Sequence, residues 1–296
     1  VPVVDGIPRF VPDDGYAAAF GRQWLAHPRT QLDSETGVPI SRARLERCLG
    51  RPLASLAGSS VLEAGCGAGR FTEPMLAAGA RVFAADLSRA VEANRDNCAR
   101  FPGHFVCQAD LTRLPAADSA FDVVLCLGVL QHTPDPEAAI VALSAKVKPG
   151  GWLVVDHYAR PRGKKRLLAQ ATPRAHLRRI LVRLPPDLAM AVSDEVTSML
   201  LPVHRALWRE GGVAGALRRG LRLVSPVIDY YDRYPELGPA RLAEWARLDT
   251  HDAVTDRYKH LRSADEIAAA LDRAGLADVH VAEAGNGIEG RGRRPG

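Results

Sequence analysis

The chain of 296 residues is long enough for one large domain or a domain with an appendage, and its 47% hydrophobic and 25% charged content is that of an ordinary folded protein. No apolar run reaches the roughly 18 residues of a membrane span, and the opening VPVVDGIPRFVPDD is neither basic nor followed by an apolar core, so no secretory signal is expected. The net charge of +5 rests on arginine, since lysine occurs only at Lys146, Lys148, Lys164, Lys165 and Lys259; this reads as the coding bias of a GC-rich bacterium rather than a polyanion partner. Cys48, Cys66, Cys98, Cys107 and Cys126 form no C-x-x-C pair, which predicts no zinc site, no disulfide framework, and reduced thiols in a cytoplasmic protein.

Residues 1–56 begin with the turn-rich Asp5-Gly6-Ile7-Pro8 and then show helical spacing at Tyr16, Phe20, Gln23 and Trp24. Gln31-Leu32-Asp33-Ser34 leads through Thr36-Gly37 to a second helix near Ser41, with Leu45 and Leu49 on one face. A short strand at Val61-Leu62 runs into Glu63 and then Gly65-x-Gly67-x-Gly69. Glycines at that spacing permit a tight strand-to-helix turn with amide groups left facing a ligand. The dinucleotide spacing would require glycine where Arg70 stands, and Glu63 suits a cationic group such as an ammonium better than a pyrophosphate.

A second strand, Arg81 to Ala85, ends in Asp86, about twenty residues past the glycines, where a carboxylate can accept from ribose hydroxyls. His104 to Gln108 reads as a third strand, ending in Ala109-Asp110-Leu111. Phe121 to Leu127 is a fourth, apolar as a buried parallel strand must be. It leads to Gly128 and the loop His132-Thr133-Pro134-Asp135-Pro136, then a helix to Lys146, the turn Pro149-Gly150-Gly151 and a fifth strand, Trp152 to Asp156. Ser263 to Gly275 is a helix with Ser263 as N-cap, Glu266 completing a capping box and Gly275 as its stop. Val279 to Ala284 and Gly287 to Arg293 close the sheet.

This ordered set resembles the class I S-adenosylmethionine-dependent methyltransferases, close to their methyltransferase-11 group, over Ser59 to Tyr158. The resemblance implies an α/β, Rossmann-like fold with a seven-stranded, mostly parallel sheet and a helical lid inserted after strand five. Residues 57–158 and 263–296 would form the cofactor-binding core, 1–56 an N-terminal helical cap and 159–262 the lid. Gly65, Gly67 and Gly69 would cradle the methionine moiety of S-adenosylmethionine and of its product S-adenosylhomocysteine, with Glu63 on the ammonium and Leu127 and Gly128 beneath. Asp86 would take the ribose and Leu87 flank the adenine, while Asp110 accepts from the adenine amino group and Leu111 packs on the ring. Trp24 and Gln31 would lie over the methionine end or simply pack on the sheet. No metal is implied.

The acceptor side is less legible. His132 is a candidate general base, because imidazole titrates near neutrality; its loop is shared by enzymes with many acceptors, which favours bracing or lining instead. His157 and Tyr158, just past strand five, are further catalytic candidates. The interruption at 159–262 is too long for a structureless loop. Its first half carries Arg166, Arg174, Arg178, Arg179, Arg183, Arg218, Arg219 and Arg222; its second half interleaves Tyr230, Tyr231, His251, Asp252 and Tyr258, which suits a pocket wall for the acceptor. The leading reading is a small-molecule methyltransferase with oxygen as the default acceptor atom. Alternatives are a lipid acceptor met at a membrane surface through Leu167, Leu168, Leu177, Ile180 and Leu181, RNA, which lacks any appended binding module here, and a cofactor-binding protein without catalysis. The oligomeric state is not legible.

Overall fold

The computed structural model describes residues 1–163, 171–208, 212–285 and 287–296. Arg166, Leu167 and Leu168 lie outside the described residues, as does the side chain of Arg219.

A two-residue hairpin, β1 (Val3–Val4) and β2 (Ile7–Pro8), opens the chain. Helices α1 (Ala18–Ala26), α2 (Asp33–Thr36) and α3 (Ile40–Leu49) follow. The sheet is built from β3 (Ser60–Ala64), β4 (Arg81–Asp86), β5 (His104–Gln108), β6 (Phe121–Cys126), β7 (Val147–His157), β8 (Ala277–Ala284) and β9 (Gly287–Arg293). Its order is β5-β4-β3-β6-β7-β9-β8, with β9 antiparallel to both its neighbours and the other pairs parallel. The chain leaves β3 towards β4 on one side and returns to β6 on the other, so the ligand crevice belongs at the carboxyl ends of β3 and β6.

The strands read as near-continuous apolar runs because both sheet faces are covered. Leu62, Val124, Cys126, Leu153 and Val155 face a layer that includes Ile140, Leu143, Ile267 and Leu271. Their neighbours Val61, Val123, Leu125 and Val154 face Leu45, Leu49, Leu53, Phe71, Met75 and Val91. The first layer comes from α6 (Pro136–Lys146) and α11 (Ala264–Arg273); the second includes α3, α4 (Thr72–Ala77) and α5 (Ala90–Cys98). Asp135 caps α6 by accepting from the Ala138 N–H, with Pro136 as the first helical residue. The capping box of Ser263 and Glu266 starts α11, and Gly275, at φ +78°, follows its C-cap Ala274. All five cysteines are buried and free.

Between β7 and α11 lie α7 (Pro173–Leu181), α8 (Pro186–Ala206), α9 (Gly212–Val224) and α10 (Gly238–Thr255). They bury their own apolar faces, with Leu201, Val227, Tyr231, Leu242 and Trp245 in one cluster and Leu181, Ala189 and Val254 in another. The excursion departs and returns at one point: the Arg160 N–H donates to the Arg262 carbonyl (2.8 Å) and the Arg262 N–H to the Tyr158 carbonyl (3.0 Å). That point is the carboxyl end of β7, so these helices stand over the crevice. Among the described residues no helix is long and apolar enough to cross a membrane.

Candidate active site

The turn after β3 folds as its glycines require. Gly65, Gly67 and Gly69 have φ of +82°, +49° and +98°, and the Gly65 and Cys66 N–H groups both donate to the Ala85 carbonyl (2.7 and 3.0 Å). A Cβ on Gly65 would come within 2.2 Å of the Val129 side chain, and one on Gly67 would press on the Trp24 ring at 3.2 Å. The turn is thus walled by α1 on one side and by the loop after β6 on the other. Asp86 closes it: its carboxylate accepts from the Gly67 N–H (2.9 Å) and from the Ser88 N–H and hydroxyl (2.8 and 2.7 Å), while burial raises its pKa.

Glu63 lies beneath the turn rather than in the cavity wall. Its Oε2 accepts from the Thr72 hydroxyl (2.5 Å), its Oε1 has no hydrogen-bond partner, and burial pushes its pKa up to about 8. An orphaned buried acceptor under a glycine turn fits the ammonium of an amino-acid moiety, bound directly or through water. Arg70, which sequence reasoning noted only as a missing glycine, supplies the opposite charge. It donates to the Ser41 hydroxyl (3.0 Å) and Gln31 Oε1 (2.7 Å), lies over the Phe71 and Trp245 rings, and has no carboxylate within 4.0 Å among the described residues. Burial lowers its pKa to about 10. A carboxylate next to an ammonium is what an amino-acid group presents to such a pair of sites, so these residues fit the methionine end of the cofactor.

One cavity of about 1360 Å³ joins this turn to the helical insertion. Its wall brings together the predicted residues Trp24, Gln31, Gly65, Gly67, Asp86, Leu87, Leu111, Leu127, Gly128, His132, Tyr158, Tyr230 and Asp252. Others stand outside the wall. Gly69 ends the turn against Cys98 and Asn94. Asp110 turns one oxygen back on the Thr112 N–H and hydroxyl (2.8 and 2.7 Å), so it shapes the loop that presents Leu111. His157 and His251 are buried away from the cavity, at 1% and 2% exposure. Tyr231 packs into the core of the insertion, and Tyr258 places its ring against Tyr16 with centroids 5.4 Å apart. Tyr16 itself lines the cavity near Asp86 and Asp110, a role its helical spacing did not reveal.

Beyond the turn lies a cluster of titratable groups, part of it in the wall. The His132 ring sits between Phe20 and Tyr158, with centroids at 5.0 and 5.4 Å. Its Nδ1 meets the Tyr258 carbonyl at 3.2 Å and lies 3.6 Å from Asp256; its Nε2 lies 4.0 Å from Asp252. A carbonyl can only accept, so Nδ1 carries the hydrogen and Nε2 keeps a lone pair. Burial holds the imidazole neutral, its pKa lowered to about 4. Asp252 accepts from the Tyr158 hydroxyl (3.3 Å), and burial raises its pKa to about 6. Asp256 pairs with Arg178 and, at 2.8 Å, with Lys259. Tyr230 donates to Asp249, which also accepts from Gln31 Nε2 (3.1 Å). Among the described residues no three His, Cys, Asp or Glu side chains converge as metal ligands.

Residues 62–155 match the family described as "Methyltransferase domain". The ubiquinone biosynthesis O-methyltransferase of Chromobacterium violaceum is 39% identical over 103 residues, which are 34% of this chain and 44% of that protein. The enzyme of the same name from Methylococcus capsulatus is 29% identical over 197 residues, covering 65% of this chain and 78% of the relative. This chain therefore spans less than half of the first relative and about three quarters of the second. Among solved structures, a putative methyltransferase in complex with the Trm112 methyltransferase activator from Haloferax volcanii superposes with a TM-score of 0.49 at 14% identity, over 94% of this chain and 98% of that one. From glycine turn to fifth strand, over residues 62–155, the chain carries an S-adenosylmethionine-dependent methyltransferase domain of the class I, methyltransferase-11 group.

Proposed function

We propose that the protein transfers the methyl group of S-adenosylmethionine to an oxygen of a small molecule, with the helical insertion as the acceptor lid. The single observation that carries this reading is the shared cavity: the glycine turn and Asp86 form one end, and His132, Tyr158, Asp252 and Tyr230 the other. The names of the relatives, O-methyltransferases, support oxygen as the acceptor atom.

The cofactor supplies a methyl carbon made electrophilic by its sulfonium charge, and the protein supplies position and a base. Asp86, Arg70 and the turn above Glu63 hold one partner; Trp24 over Gly67 and the insertion wall the junction. His132 takes the acceptor's hydroxyl proton on Nε2 while the oxygen bonds to carbon and the carbon–sulfur bond breaks. Nδ1–H stays anchored on the Tyr258 carbonyl, so the ring does not rotate out of line. The imidazolium that forms lies close to Asp252 and Asp256, which offset its charge. Tyr158 holds Asp252 in that position.

Purified protein incubated with methyl-labelled S-adenosylmethionine and fractionated bacterial extract should place label in an ether or ester methyl. Label on nitrogen or carbon would refute the oxygen assignment, and failure to bind S-adenosylhomocysteine would refute the activity. A second reading, a lipid acceptor met at a membrane surface, is favoured by exposed Ile180, Leu217, Leu223 and Val224 on the arginine-rich helices α7 and α9. Flotation with anionic vesicles distinguishes the two. The buried free cysteines support a cytoplasmic setting.

A further inference from the structure

Most cations of the cavity wall have a carboxylate of their own. Arg44 pairs with Asp156, Arg47 with Glu289, Arg160 with Glu266, Arg262 with Glu137, and Arg178 and Lys259 share Asp256. Arg179, also in the wall, has a partner of its own; among the described residues Arg70, Arg174 and Arg233 have no carboxylate within 4.0 Å. Arg70 stands on the glycine turn and is accounted for by the methionine carboxylate. Arg174 and Arg233 belong to the insertion, on the acceptor side.

Arg174 is held but not neutralised. Its Nε donates to the Pro226 carbonyl (2.8 Å) and one Nη to the Val227 carbonyl (3.3 Å), which fixes the plane of the guanidinium and leaves the other Nη without a hydrogen bond among the described residues. Arg233 lies over the Tyr234 ring at 5.3 Å. Both guanidinium groups act electrostatically on Tyr230, whose hydroxyl is already committed to Asp249. The carboxylates in the wall are likewise committed, Asp86 to the turn, Asp249 to Tyr230 and Gln31, Asp252 to Tyr158. Arg233 is exposed where it meets the cavity, whereas Arg174 is half-buried and, of the carboxylates, feels only the charge of Asp229, which is itself paired with Arg222; a guanidinium so drawn out of water is costly, and its fixed plane with a free N–H edge matches a carboxylate in shape and charge. Tyr230 and Tyr234, stacked on each other at 26° with centroids 5.8 Å apart, line the same wall beside Trp245 and make it aromatic.

We infer that the acceptor is a hydroxylated aromatic carboxylate whose carboxylate is bound by Arg174 and Arg233 beside Tyr230. This rests on the methyl-transfer reading above and adds the class of its substrate. The test uses the full chain loaded with S-adenosylhomocysteine, titrated calorimetrically with protocatechuate and with the primary amide of protocatechuate. The acid should bind at least about tenfold more tightly than the amide, the scale of one charge-assisted contact. Arg174→Gln should erase that preference, Arg233→Gln should reduce it, and Arg174→Lys should restore part of it, all with unchanged affinity for S-adenosylhomocysteine. Equal binding of acid and amide, no binding of either, or a preference that survives in both glutamine variants would overturn the inference while leaving the methyltransferase reading intact. A chain that binds no S-adenosylhomocysteine would refute that reading itself and the inference with it.

Discussion

Replacing His132 by glutamine removes a proton acceptor while keeping a polar side chain in the same buried slot. The Nδ1 bond to the Tyr258 carbonyl, at 3.2 Å, leaves the lone pair on Nε2, 4.0 Å from Asp252, in a ring that lines the cavity. A positioned base contributes about 10²–10⁴ in rate, or roughly 3–5 kcal/mol of barrier. Single-turnover formation of S-adenosylhomocysteine should therefore slow by at least about a hundredfold in His132→Gln. Calorimetry should show the affinity for S-adenosylhomocysteine unchanged, because Asp86, Arg70 and the glycine turn are untouched. The pH profile adds a second constraint. Burial lowers the His132 pKa to about 4, so the free-base form dominates across the neutral range. His132 itself should therefore add no fall in rate near pH 6.5; the fall on acidification should follow Asp252, whose pKa is raised to about 6, and should disappear from the profile of Asp252→Asn. A loss of tenfold or less in the variant would refute the assignment and return His132 to the loop-bracing or lining role that its sequence context favours.

Arg70→Gln should weaken binding of S-adenosylhomocysteine by about 1.5–3 kcal/mol but leave methylthioadenosine, which lacks the amino-acid group, unaffected; an equal loss for both ligands would show that Arg70 supports the fold instead. Tyr230→Ala should raise the acceptor KM with cofactor affinity intact, whereas Tyr231→Ala, which empties a side chain 3% exposed in the insertion core, should cost about 3–5 kcal/mol of stability; the reverse pattern would invert their roles. His251 is buried and its pKa is lowered to about 4 from 6.5, so the unfolded chain binds the extra proton between those values and stability falls as pH drops through that window. Denaturant titrations of His251→Gln should therefore lose up to about 3 kcal/mol of that acid sensitivity relative to wild type, and an unchanged slope would contradict the burial argument.

The elements of the nucleotide-binding core were legible because their causes are local. Helix α6 spans Pro136–Lys146 as read, since its cap Asp135, its first residue Pro136 and the turn after Lys146 lie within a few residues of one another. The strands from β3 to β7 announce themselves as apolar runs because a parallel sheet buries both faces, and Gly65, Gly67 and Gly69 report positive φ directly. Tyr230 and Tyr231 mark where that reading ends. They are adjacent in sequence, yet one lines the cavity and the other fills a core, since the pose of the insertion is set by packing of α10 against α1, α7 and α8. Arg70 shows the same limit. Its isolation from any carboxylate depends on Gln31, Ser41 and Trp245, which come from three other parts of the chain. Asp110 could be placed at a strand end but not aimed, because its own turn competes for the carboxylate. Local pattern thus determined the fold and the cofactor turn, while long-range packing decided which side chains face the acceptor and which charges remain without a counter-ion.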